Sequence, residues 1–173
     1  MPGKREEKQE DGLAPGHSFT LGQRAGSHLR RRGTDMDEQN AVLAANRAFY
    51  QAFETLEIKE MEKMWLQESY IKCVHPGWPL LAGWGPVMAS WERIFTNTES
   101  MRFTLSDVRV EVSGSLGWVV LIENLESGDP GGSALSQILT TNLFEKRDNE
   151  WFIVHHHGSP IFAPPAPPED QLH

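Results

Sequence analysis

Histidines are the side chains of this chain best suited to proton transfer or metal binding, and His155, His156 and His157 are consecutive. They close a stretch, Trp151 to Val154, whose aromatic and β-branched residues read as a strand. A strand alternates its faces, so His155 and His157 fall on one side with Trp151 and Ile153, and His156 on the other. Turned inward, the pair stands side by side in apolar surroundings; turned outward, it is solvated. The inward placement is the expectation, with His156 nearer a surface for a second copy of the chain.

His75 is biased to an extended backbone by Pro76, and it could form a cluster with His155 and His157; these three are the candidate catalytic residues. Neutral imidazoles near pH 7 accept and release protons. Such a cluster could also hold zinc with an open position. No carboxylate accompanies it in a metal motif, so neither a metal nor a cofactor is expected. A structural hydrogen-bonding role is the alternative.

Six tryptophans form the second constellation. Trp78 and Trp84 flank a Gly/Pro-rich loop and either close a pocket mouth or plug it. Trp91 recurs at core-facing helical spacing. Tyr50 has a hydroxyl that needs a partner if buried. Asn124 and Asn142 lie on long strands, where an inward amide also needs partners. The expected ligand pocket is therefore Tyr50, Trp78, Trp84, Trp91, Asn124 and Asn142. Gly128-Asp129-Pro130-Gly131-Gly132 has neither the Lys-Ser/Thr nor the following helix of a phosphate loop, and reads as a hairpin turn.

These groups must be positioned by the elements around them. A helix is predicted from about Asp37 to Leu56 by Ala41, Ala44, Ala45, Ala48, Phe49, Ala52, Phe53 and Leu56. A short helix follows from Ile58 to Trp65, then a short strand from Tyr70 to His75. A third helix starts near Gly83–Pro86, with Trp84, Val87, Met88, Trp91, Ile94 and Phe95 on its inner face. The remainder alternates as strands: Phe103–Leu105 and Val108–Val112, Leu116–Leu125, Ala134–Lys146 and Trp151–His157. Short turns between them imply an antiparallel meander. Ile138, Thr140, Asn142 and Phe144 share one face of the third long strand.

The whole chain has 173 residues, 39% hydrophobic and 23% charged, which suits one globular domain with tails. Residues 1–35 read as a disordered tail, 36–160 as the folded domain and 161–173 as a Pro-rich tail. A net charge of −8 argues against a nucleic-acid surface. The single cysteine, Cys73, excludes an intrachain disulfide and reads as a buried inert thiol. No apolar run is long enough to span a membrane, and no signal peptide is evident. A cytoplasmic location, with no membrane or nucleic-acid partner, is the expectation.

Between Asp37 and Ser159 the chain resembles the SnoaL-like branch of the nuclear transport factor 2-like superfamily. Three segments carry the resemblance: Asn46–Phe53 with Met61–Trp65; Cys73–Trp78 leading to Gly83-Trp84, Val87-Met88 and Ser90-Trp91; and Thr140–Lys146 with Trp151–His157. The closing strand is also similar to the association domain of calcium/calmodulin-dependent protein kinase. The resemblance implies an α+β fold, a cone-shaped curved antiparallel sheet wrapped around a long N-terminal helix, nuclear transport factor 2-like or cystatin-like. It implies a small-molecule-binding domain with an internal cavity, acting as a cofactor-free isomerase, dehydratase or hydrolase on an apolar substrate. The alternative is a non-catalytic dimerisation or interaction module. A homodimer through the sheet is expected in either case. Catalytic members of the superfamily carry a carboxylate base or an Asp–His pair. This chain departs from them, because Asp107 near a strand start has no evident partner.

Overall fold

The computed structural model describes residues 25–129 and 132–162. Of the expected tails, 1–35 and 161–173, residues 1–24 and 163–173 lie outside the described residues. The elements in chain order are α1 (Ala25–Thr55), α2 (Ile58–Met64), β1 (Lys72–Val74), β2 (Leu81–Ala82), α3 (Trp84–Thr96), β3 (Ser100–Ser113), β4 (Leu116–Asp129), β5 (Gly132–Arg147) and β6 (Glu150–Pro160). Helix α1 therefore begins well before Asp37, inside the segment expected to be a tail. Asp37 interrupts nothing there, since an acidic residue near a helix start is also tolerated within a helix on a solvated face.

All strands join one curved α+β sheet in the order β2-β1-β6-β5-β4-β3. Strands β3 to β6 form the antiparallel meander that their short turns require. Strand β1 adds parallel to β6, which the long connection through β2, α3 and the meander makes possible. The expected break in β3 after Leu105 is a bulge within one strand. Register shifts between Ser106 and Arg109, and Asp107 sits there at φ 52°. A residue of this kind absorbs the extra position and bends the strand.

Helix α1 lies across the concave face. Phe49 and Phe53 pack edge-on against Trp91 of α3, with ring centroids 5.8 and 4.7 Å apart. Val119 and Leu121 of β4, Phe144 of β5 and Ile153 of β6 complete the core from the sheet side. The close approach of α1 to β4 depends on Gly117, where an added Cβ would stand 2.6 Å from a Val42 methyl. On β5 the observed burial of Ile138, Thr140, Asn142 and Phe144 follows the predicted alternation.

On β6 the alternation fails. Leu143 pairs with His155, but the next residue, Phe144, pairs with Ile153. Val154 is left over as a bulge, and a single extra residue inverts every later side chain. Trp151 and Ile153 face inward as expected. After the bulge, His156 is the inward histidine, fully buried beside its register partner Cys73. His155 is only partly buried and His157 is exposed. Their rings stand 6.1 Å apart on the convex face. The expected inward pair and outward His156 are thus reversed.

Candidate functional site

Four strands, two helices and the loop after β1 converge on one end of the cone. Phe53 of α1, Ile94 of α3, Met101 and Phe103 of β3, Leu125 of β4 and Ile138 of β5 supply apolar walls. His75, Pro76 and Trp78 close one side. Glu123 of β4 and His156 of β6 provide further polar surface. The pocket has a volume of about 140 Å³ and is open on one side. Larger hollows of about 290 and 340 Å³ lie on the convex face, lined by residues such as Thr104, Asn124 and Leu135, or Asp107, Val120 and Leu139. Their linings carry no buried titratable group.

Glu123 is the group that the histidine reading passed over. It is only 3% exposed. It follows Val119 and Leu121 on the inward face of β4 and precedes Leu125, so strand geometry delivers a carboxyl into an apolar wall. Burial pushes its pKa up to about 7, against the weaker opposing effects of Tyr50 and Thr140. Tyr50 donates its hydroxyl to Glu123 Oε1 at 2.6 Å. Burial, and then the neighbouring carboxylate, hold the Tyr50 pKa well above its ordinary value, so the phenol keeps its proton. The Thr140 hydroxyl, on the adjacent strand, makes no hydrogen bond among the described residues.

Behind Tyr50 the polar chain continues. Asn142 Nδ2 donates to Asn46 Oδ1 at 2.9 Å and to the Tyr50 oxygen at 3.3 Å. His156 Nδ1 lies 2.8 Å from Asn142 Oδ1. Asn46, Asn142 and His156 are all essentially inaccessible, so each bond replaces one that water would otherwise make. Across the pocket, His75 Nε2 lies 2.8 Å from Ser90 Oγ, which itself donates to the Val87 carbonyl at 2.6 Å. Burial lowers the His75 pKa to about 4 and holds that of His156 well below its ordinary value. Both rings are neutral near pH 7. Their centroids are 6.2 Å apart.

The sequence-predicted residues divide accordingly. His75 and Trp78 line the pocket, and Tyr50 and Asn142 lie behind its polar wall. Trp91 is wholly buried and packs edge-on against His75 at 4.6 Å, serving as core. Trp84 is partly buried against the core, away from the pocket lining. Asn124 points to the convex side, donating to the Thr104 carbonyl and accepting from Gln137. Its neighbour on the strand is Glu123, so one residue of register separates a solvated amide from a buried acid. The Cys73 thiol is buried, which raises its pKa and keeps it un-ionised. Among the described residues, no group of three potential ligands is arranged to hold a metal ion. No described helix is long and apolar enough to cross a membrane.

A family model described as the SnoaL-like domain matches residues 42–164. The chain belongs to the SnoaL-like domain family. The matched span contains Glu123 and both inward histidines; Tyr50 also falls within it. This SnoaL-like chain is 29% identical, over 120 residues, to the F-box protein SKIP8 of Arabidopsis thaliana. The match covers 69% of the chain and 49% of that protein, so the chain spans about half the length of the curated relative it matches. Among solved structures, a candidate dehydratase of the nuclear transport factor 2-like family from Streptomyces avermitilis is 35% identical, with a TM-score of 0.70. That likeness covers 73% of this chain and 98% of the other. A candidate calcium/calmodulin-dependent protein kinase type II association domain from Thiobacillus denitrificans is 29% identical, with a TM-score of 0.62. It covers 69% of this chain and 94% of the other.

Proposed function

We propose that this SnoaL-like domain binds a small, largely apolar molecule at the mouth of the cone and performs cofactor-free proton transfer on it. Isomerisation, elimination of water and hydrolysis are the reaction types within reach. The carrying observation is Glu123, a buried carboxyl on the pocket wall whose pKa is raised to about 7. A group poised near the working pH is effective both as base and, once protonated, as acid. As carboxylate it takes a proton from a substrate carbon. As acid it returns that proton to another carbon or to a departing hydroxyl. His75 and His156 stay neutral and serve as polar walls in this reading, while His155 and His157 take no part.

Size supports a compact ligand. A cavity of roughly 150 Å³ lined by apolar side chains accepts a benzene-sized ring, and the space here is about 140 Å³. Saturating toluene is expected to raise the melting temperature of the full chain, by linkage of binding to the folded state. Absence of any shift, with no chemical-shift change at Phe103 or Ile138, would remove the basis for a ligand pocket. The buried free thiol of Cys73 is compatible with a cytoplasmic setting.

A second reading concerns the convex face. Leu135 is 82% exposed and Leu139 48% exposed, with Val120 and Ile122 beside them on the sheet. Likeness to a candidate association domain supports pairing of two copies through this face. Light scattering at micromolar concentration is expected to report a dimer that Leu139→Glu converts to monomer. A wild-type monomer under those conditions contradicts the pairing.

A further inference from the structure

The hydrogen-bond directions around the pocket specify what its ligand must offer, given the ligand-binding reading above. Asn142 spends its amide hydrogens on Asn46 Oδ1 and the Tyr50 oxygen. Its Oδ1 is left as an acceptor, so His156 Nδ1, 2.8 Å away, carries the ring hydrogen. His156 Nε2 is then a bare lone pair. Among the described residues the ring's hydrogen bond runs through Nδ1, and Nε2 is not one of the fully enclosed atoms left without a partner, so it is open to the pocket that the ring lines.

His75 follows the same pattern. Ser90 commits its hydroxyl hydrogen to the Val87 carbonyl, so its oxygen accepts from His75 Nε2–H. His75 Nδ1 is the bare nitrogen, with only the weak Cys73 thiol 3.8 Å away. Glu123 already accepts from Tyr50. The lining therefore presents two unprotonated imidazole nitrogens and a carboxyl. Among the described residues it contains no lysine or arginine; Arg93 stacks over Trp78, 5.1 Å from the ring centroid, without joining the lining.

We propose that the pocket selects neutral, ring-sized molecules bearing a hydroxyl group, with His156 Nε2 as the acceptor that recognises the O–H. An unsubstituted hydrocarbon that fills the pocket shuts water away from this nitrogen and leaves it unpaired, which costs free energy. An organic anion meets lone pairs and an acid with no cation to offset them. Asn142 is the positioning residue, because its orientation decides which nitrogen of His156 faces the ligand.

The test uses the full chain labelled with nitrogen-15. Long-range proton–nitrogen correlation spectra report each imidazole tautomer directly, and His156 is expected as the Nδ1–H form. Calorimetric titrations with phenol, toluene and benzoate then read selectivity. One neutral hydrogen bond made in place of an unpaired acceptor predicts phenol binding about tenfold tighter than toluene, with benzoate not binding measurably. In His156→Phe the phenol preference is expected to vanish while toluene binding persists. The tautomer measurement needs no variant, so a poorly folding substitution leaves the proposal testable. An Nε2–H form at His156, equal affinity for phenol and toluene, or tight benzoate binding overturns the selectivity but spares the pocket. Failure of all three compounds to bind overturns both.

Discussion

Glu123→Gln is expected to make the protein more stable at about pH 8 and to abolish the proposed proton transfer. The two effects share one cause. The folded-state pKa of Glu123 is raised from 4.5 to about 7 by burial. The unfolded chain therefore ionises first as pH rises, and the folded state loses stability progressively between those two values. At 1.36 kcal/mol per unit, the cost above pH 7 is roughly 3 kcal/mol. Glutamine removes it, less whatever is lost through an imperfectly paired amide, and its carbonyl still accepts from Tyr50. Removing a positioned acid or base costs on the order of 10²–10⁴ in rate. A substitution that stabilises the fold while removing activity marks a functional group, because a structural one would destabilise on removal. Urea denaturation across pH, beside turnover of any accepted substrate, checks both halves. A variant less stable than wild type at about pH 8 would assign Glu123 a structural role.

Acid is expected to unfold the protein from inside the same pocket. His75 and His156 are buried as neutral rings, with pKa values below those of unfolded histidine. For such groups the unfolded state takes up protons first as pH falls. Their contribution to stability is whole above about pH 6.5 and is lost on the way down to the folded pKa. For His75, lowered from 6.5 to about 4, the loss is roughly 3 kcal/mol, and His156 adds in the same direction. Glu123 opposes them, since its penalty disappears as pH falls from about 7 to 4.5. Wild type should therefore decline less steeply in acid than Glu123→Gln, and the two stability curves should converge near pH 4.5. Circular dichroism melts at intervals between about pH 4 and pH 8 resolve this. Parallel curves for the two proteins would mean that Glu123 titrates alike in both states.

Much of this was legible from residue order. The alternation of β5 and the apolar spacing of α3 fixed which faces turn inward, and the resemblance along Asp37–Ser159 indicated a cone. Two failures have specific causes. Nothing in Phe152-Ile153-Val154-His155 marks Val154 as a bulge. Bulges arise from how a strand fits its neighbours, here β5 and β1, so local pattern projected the alternation straight through and exchanged His156 for His155 and His157. Glu123, in contrast, was visible. It stands in the series Val119, Leu121, Glu123, Leu125, a lone acid on an otherwise apolar face. Asp107, the aspartate near a strand start, lies instead on a bulge at the sheet margin. A buried acid within an alternating strand is a stronger signal than a run of histidines, because burying a charge costs far more than burying a neutral ring.

The protonation of Glu123 in the intact protein tests the central claim most directly. Carbon-13 spectra of the glutamate side-chain carboxyl groups, followed through a pH titration of wild type and Glu123→Gln, isolate its resonance by difference. The expected midpoint is about 7. A midpoint at the ordinary value of 4.5 would show a solvated carboxylate and contradict a pocket acid poised for proton transfer.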